Sequence, residues 1–285
     1  MQLAAKTPAD LTITPRDRRF GRGSVQQRWW YGGDPYATAF HNALSVTFPK
    51  GEAFFIESVK AHRDGVPPKL EAEIRAFVMQ EVMHTREHVA FNKRVVDAGY
   101  DVAKLERDVE EALALTKGRP QILNLAVTMA LEHYTAILAQ TMLRYQHYWS
   151  RADAESVAMW KWHAVEEIEH KGVAYDTWLH ATRDWSRWKR WKVKSIMMLL
   201  VSYRFWTKRW AGSMELLRQD GITGWKARFG LLRHLFVSPG LVRRALPAWL
   251  SFFLPGFHPW NHDDRALISL ADSDYADARL ATAAE

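Results

Sequence analysis

Polar and apolar positions alternate along most of this chain with a spacing of three and four residues, and that period is helical. A first apolar stretch, "PYATAFHNALSVTF", ends at Pro49, and "KGEAFFIESVKAHRD" comes next over about 50–64. The loop "GVPPK" leads into the long amphipathic segment "LEAEIRAFVMQEVMHTREHVAFNKRVVDAG", stopped by Gly99. A shorter acidic helix, "YDVAKLERDVEEALALTKG", precedes a third long segment, "RPQILNLAVTMALEHYTAILAQTMLRYQHYW", and a fourth, "DAESVAMWKWHAVEEIEHKGVAYDTWLHATRDW". Val, Ile and Thr never alternate with polar residues for long enough to predict a strand. The pattern predicts an all-α fold in three parts. These are a basic N-terminal arm over 1–32, a helical bundle over 33–182, and a basic, Trp-rich helical C-terminal region over 183–285.

Composition narrows the chemistry. Of the 285 residues 48% are hydrophobic and 25% charged, a balance suited to a packed core rather than a disordered chain. Cysteine is absent, so a metal site has only His, Asp and Glu to draw on. The start of the sequence has no apolar signal stretch, which makes a cytoplasmic location the expectation.

One stripe of the second long segment carries that chemistry. Glu81, His84 and His88 are spaced by three and four residues, so they line up on one helix face. The fourth long segment repeats the pattern with Glu167 and His170, preceded by His163. Two Glu-x-x-His pairs on separate helices are half of the ligand set of ferritin-like di-metal bundles, in which the other two helices each give one Glu. In an antiparallel hairpin, residues equidistant from the loop lie at one height. Mirrored about Pro67, Glu81 and His84 face Glu52; mirrored about residues 150–151, Glu167 and His170 face Glu132. Glu57 sits more than a turn away and is the reserve ligand. Four carboxylates supply a charge of about −4, which two divalent first-row ions neutralise, and imidazole suits iron, manganese or zinc. His88 and His163 complete the candidate set as a seventh ligand and a partner orienting a ligand, and Glu166 or Asp176 is placed to receive a ligand histidine's free N–H. His133 and Glu169 point about 100° away from their ligand neighbours.

The motifs "FPKGEAFFIESVK", "FVMQEVMHTREHVAFN", "ALEHYTA", "WKWHAVEEIEHKGVAYD" and "PGFHPWNHDD" resemble those of a bacterial family labelled predicted metal-dependent hydrolases, over about residues 20–265. The resemblance implies a ferritin-like metal site on Glu52, Glu81, His84, His88, Glu132, His163, Glu167 and His170. The spacing is also similar to that of di-iron N-oxygenases, which implies dioxygen chemistry by analogy. The leading expectation is therefore a di-iron oxidoreductase acting on an apolar or lipid-like small molecule, with Phe55, Met83 and Met129 along its channel. A hydrolase using a metal-activated water is the alternative, and a non-catalytic metal-binding or membrane protein the third.

Charge separates the C-terminal region from the rest. Residues 183–250 hold fifteen Lys and Arg against three Asp and Glu, a balance of +12 in a chain whose net charge is +7. Within 183–210 five Trp alternate with basic residues, and the longest uncharged run, "SIMMLLVSY", is too short to span a bilayer. The pattern predicts a helix lying on an anionic membrane surface, with a bundle cover or a homodimer contact as the competing use. Nucleic acid is not expected, because the region is too apolar for a phosphate-binding face. Pro239, Pro247 and Pro255 are expected to break "LLRHLFVSPGLVRRALPAWLSFFLPGF" into short pieces.

Overall fold

The structure is a computed structural model, and it describes residues 6–270. The first five residues of the arm and residues 271–285 of the C-terminal region lie outside it. The fold is all-α, and no strand occurs among the described residues.

Helix boundaries reflect local chemistry. Helix α1 (Pro35–Ser45) opens with proline at its first position, and Asp34 Oδ1 accepts from the backbone N–H groups of Tyr36 and Ala37. Helix α2 (Phe48–Lys60) begins almost at once, and Pro67 delivers the chain into the thirty-residue α3 (Pro68–Asp97). Gly99, at φ 92°, turns the chain out of α3 into α4 (Ala103–Ala114). Helix α5 (Gln121–Arg144) starts after Pro120. Helix α6 (Ala154–His170) is capped by Asp153, which accepts from Ser156 N–H.

Two sequence expectations change here. The fourth long segment is not one helix: it breaks at Lys171–Gly172 into α6 and α7 (Val173–Ala181). The break coincides with a close approach. A Cβ on Gly172 would lie 2.6 Å from Thr7 Oγ1 and 3.0 Å from Trp260 Nε1, so only glycine lets both chain ends close in. Farther on, α8 (Arg187–Gln219) and α9 (Gly224–Phe236) precede α10 (Leu241–Ser251). Pro239 and Pro255 lie outside helices, but Pro247 sits within α10. Its missing N–H leaves the Arg243 carbonyl without its helical donor; both residues are exposed, so water can take that place.

Helices α2, α3, α5 and the α6–α7 pair pack on one another, with α2 against α3 and α5 against α6 as the most extensive contacts among them. Helix α5 is long and apolar enough to cross a membrane by length and composition, yet its apolar window is 72% buried inside the protein and it carries Glu132. It is a core helix. Helix α8 runs across α1 and α5, and α10 covers α5, where the Ala248 carbonyl meets His133 Nε2 at 3.1 Å.

Residues 6–34 lie as a strap along α3 and α6. The stripe of α3 that faces it is polar and repeats every seven residues: Gln80, Glu87 and Arg94 are all buried. Gln80 Nε2 donates to the Thr14 carbonyl at 3.3 Å, and Glu87 accepts from Phe20 N–H at 3.0 Å and from Arg22 at 2.7 Å. Arg94 fills the space beside Gly21, where a Cβ would lie 2.2 Å from its guanidinium. The other stripe of α3, Ile74, Phe77, Glu81, His84, His88, Phe91 and Val95, faces the interior. Aromatic and aliphatic residues occupy its two ends and the titratable ones its middle.

Candidate metal centre

Four helices supply eight buried titratable residues to one place. Glu52 comes from α2, Glu81, His84 and His88 from α3, Glu132 from α5, and His163, Glu167 and His170 from α6. None exceeds 3% exposure. Their donor atoms form overlapping groups, each within 4.8 Å: Glu52–Glu81–His84, Glu81–Glu132–His170, His84–His163–Glu167 and Glu52–His88–His163.

The centre has two lobes. In one, His84 Nδ1 lies 3.6 Å from Glu81 Oε2 and 3.7 Å from Glu167 Oε1. In the other, His170 Nε2 lies 3.4 Å from Glu81 Oε1, 3.4 Å from Glu132 Oε2 and 3.5 Å from Glu167 Oε2. Glu81 and Glu167 thus each turn one oxygen toward either imidazole, while Glu132 attends one lobe and Glu52, grouped with Glu81 and His84, the other.

Hydrogen bonds behind the imidazoles fix which nitrogen faces inward. His84 Nε2 lies 3.0 Å from Glu166 Oε2, a carboxylate that accepts, so this nitrogen carries the proton and Nδ1 presents its lone pair to the lobe. Gln80 Nε2 donates to Glu169 at 2.9 Å, which points Gln80 Oε1 at His170 Nδ1, 2.9 Å away. His170 therefore donates from Nδ1 and keeps Nε2 free. Both chains of hydrogen bonds end on the strap: Arg16 N–H donates to Glu166 at 2.8 Å, and the Arg16 guanidinium holds Glu169.

His88 and His163 are placed differently. His163 Nε2 lies 2.7 Å from Glu167 Oε1, His163 Nδ1 is 2.7 Å from His88 Nε2, and His88 Nδ1 is 2.8 Å from Ser45 Oγ. Both rings have each nitrogen in a hydrogen bond, and they form a row leading away from the lobes. Phe48 stacks on His88 at 4.4 Å, Trp162 stands edge-on to His84 at 5.0 Å and Phe77 edge-on to His170 at 4.9 Å, walls that keep water out.

The donor set fits two cations on an observation independent of spacing. Eight buried side-chain atoms here have no hydrogen-bond partner: Glu52 Oε1, both oxygens of Glu81 and of Glu132, His84 Nδ1, Glu167 Oε2 and His170 Nε2. They belong to the six residues that helical spacing and hairpin symmetry together select, and every one is a metal-ligand type. A buried carboxylate oxygen without a donor is unfavourable by several kcal/mol if ionised, so the metal-free site holds protons instead. Burial, reinforced by neighbouring carboxylates, pushes Glu52, Glu81 and Glu132 well above the usual carboxylate range. Burial also opposes ionising Glu167, but His170 and His163 outweigh it and hold that group well below its ordinary value. Burial lowers His163 to about 4 and His88 well below its ordinary value, so both rings are neutral. His84 moves the other way: burial opposes its charged form, but the bond to Glu166 and the charges of Glu166, Glu52 and Glu167 together outweigh it.

The remaining sequence candidates fall elsewhere. Glu57 is exposed on α2, so the reserve ligand takes no part. Asp176 receives Thr7 Oγ1 at 2.6 Å and His258 Nε2 at 3.0 Å rather than a ligand histidine. Glu169 lies behind Gln80, and His133 is buried under α10. Phe55 and Met129 belong to one apolar cluster, and Met83 is buried on α3. Sequence reasoning missed Gln80 and Arg16. The seven-residue polar repeat on α3 is the signal that leads to the first; nothing in the sequence points to the second. It also gave "PGFHPWNHDD" no role. That segment locks the break after His170, with Lys171 Nζ donating to the His262 carbonyl at 2.8 Å and to Asp264 at 2.7 Å.

The family whose sequence model matches residues 14–263 is described as predicted metal-dependent hydrolase. No curated protein and no solved structure matches the chain.

Proposed function

The chain belongs to the family of predicted metal-dependent hydrolases, and from that premise we propose a two-metal carboxylate enzyme of ferritin-like type that activates dioxygen against an apolar or lipid-like small molecule. The observation that carries this reading is the set of eight partnerless donor atoms on Glu52, Glu81, His84, Glu132, Glu167 and His170, arranged as two lobes that share Glu81 and Glu167. Glu81, Glu167, Glu52 and His84 would hold one ion, and Glu81, Glu167, Glu132 and His170 the other. When bound, an iron pair there supplies electrons to dioxygen, whereas a zinc pair supplies an activated water.

The protein's own residues have definable work. Glu166 and Gln80 hold the ligand imidazoles in one tautomer each. Phe48, Phe77 and Trp162 exclude bulk water, which strengthens every charge interaction inside. His163, hydrogen-bonded to Glu167 and to His88, is placed to hold a proton next to a ligand carboxylate. Iron is favoured over zinc by the carboxylate-rich donor set, with manganese as the other candidate.

Hydrolysis is the second reading, and the family's own description favours it. One experiment separates the two. Protein purified without chelator is analysed for metals, reduced anaerobically and mixed with oxygen in a sealed electrode cell. Oxygen uptake in proportion to bound iron supports the oxidase. Absence of uptake, together with steady turnover of a p-nitrophenyl ester or phosphate that stops on chelation, replaces it with the hydrolase.

A further inference from the structure

Helix α9 has two apolar faces. One is buried through Ala227, Leu231 and Leu235. On another side Trp225, Phe229, Leu232 and Phe236, spaced by four, three and four residues, form a second stripe that is exposed along its whole length. Trp225 is 81% exposed and Phe229 69%. Arg228 flanks the stripe on one side, Arg233 and Lys226 on the other, and all three are exposed. A surface helix normally turns polar residues outward, so this stripe needs an occupant.

We propose that α9 docks the protein on an anionic lipid surface, lying in the plane of the membrane with this stripe immersed. Charge identifies the occupant. Residues 221–262 contain no Asp or Glu, and neither do residues 185–214 of the preceding long helix. Helices α8 and α10 both pack against α9, and each exposes apolar residues of its own: Ile196, Leu199 and Tyr203 on α8, and Leu246 and Leu250 on α10, where Arg243 is also exposed. A second copy meeting this face through a two-fold axis would set arginine against arginine, with no acid on α9 or α10 to compensate. Anionic headgroups satisfy the flanking cations while the acyl region takes the stripe. At thirteen residues α9 is about 20 Å long, too short to cross a bilayer and the right shape to lie on one. Tryptophan at the end of the stripe suits the polar–apolar boundary. The inference is independent of the metal chemistry.

The test is flotation of the full chain with vesicles of phosphatidylcholine alone or with about 30% phosphatidylglycerol. The protein floats with the anionic vesicles, and about 0.5 M salt lowers that binding more than tenfold. Trp225→Ser with Phe229→Ser, and separately Arg228→Glu with Arg233→Glu, each reduce it about tenfold or more, with circular dichroism unchanged. Lys93→Glu, on α3, removes the same kind of charge and leaves binding intact. Failure to float with either vesicle, or flotation indifferent to both double variants, overturns the proposal. So does a concentration-dependent dimer in ultracentrifugation that the same double variants abolish, which assigns the stripe to a second copy.

Discussion

The Arg16 guanidinium reaches Glu169 with both terminal nitrogens, at 2.9 and 2.8 Å, while the same residue's N–H holds Glu166. Through Gln80 and Glu166 this one strap residue stands behind both imidazoles of the centre. Arg16→Ala strands a buried carboxylate, so it is expected to lower stability by about 3–5 kcal/mol and to weaken metal affinity by about 10–100-fold. Chemical denaturation and competitive metal titration measure the two effects. A variant that loses stability but binds metal as tightly as before would confine Arg16 to holding the strap.

The two-lobed arrangement predicts unequal effects of the four glutamates on metal content. Glu81→Ala or Glu167→Ala removes an oxygen from both lobes, and content is expected to fall from about two ions per chain to nearly none. Glu52→Ala and Glu132→Ala each touch one lobe and leave about one. Plasma mass spectrometry on protein purified in parallel gives the answer. Equal losses in all four variants would mean that the lobes are not separable.

Protons compete with the ions. Glu52, Glu81 and Glu132 are raised in the metal-free centre, above their values in the unfolded chain. A group of that kind contributes stability below its unfolded pKa, and the contribution is lost as pH rises through its folded pKa. Buried histidines such as His88 and His163, lowered on folding, work the other way up to about pH 6.5, so the melting temperature of chelated protein is expected to fall as pH rises above about 7. Metal-loaded protein should not show that fall, because the ions replace the protons, and loading near neutral pH should release protons measurable in a weakly buffered titration. A chelated protein that grows more stable as pH rises above about 7 would contradict the site's electrostatics.

Lys171 and Asp264 are each 4% exposed at the side chain and pair at 2.7 Å. Asp264→Ala leaves a buried ammonium that burial already disfavours. It is expected to lower stability by about 3–5 kcal/mol, whereas Lys171→Met with Asp264→Leu recovers most of that loss. Urea denaturation of the three proteins decides; equal losses in the single and double variants would show that packing, not charge, sets the cost.

What the sequence made legible was whatever repeats with the helical period. Glu81, His84, Glu167 and His170 announced themselves by spacing, and hairpin symmetry located Glu52 and Glu132, which the structure brings into the same groups. Those inferences need only the rise of a helix and short connections. Gln80 shows the limit: it precedes the candidate ligand Glu81 by one residue, and its value depends on which way α6 and the strap approach α3. Arg16 lies in an arm without periodicity, so nothing local points to its role. The break at Gly172 was missed because an isolated glycine in a helical pattern is usually tolerated. Here the glycine admits Thr7 and Trp260, distant in sequence on either side. Similarly, the tryptophans of residues 183–210 read as one interfacial set, yet Trp185, Trp191, Trp206 and Trp210 are part-buried and only Trp188 is largely exposed.

The clamp at Lys171–Gly172 bears on how the protein is made. All six metal-ligand candidates leave the ribosome before Trp260 and Asp264 do, because the chain emerges from its N-terminus. The ligands can therefore gather while the C-terminal segment that locks the end of the His170 helix is still unsynthesised. Nascent chains stalled just short of the "PGFHPWNHDD" segment would carry the six candidates without their lock.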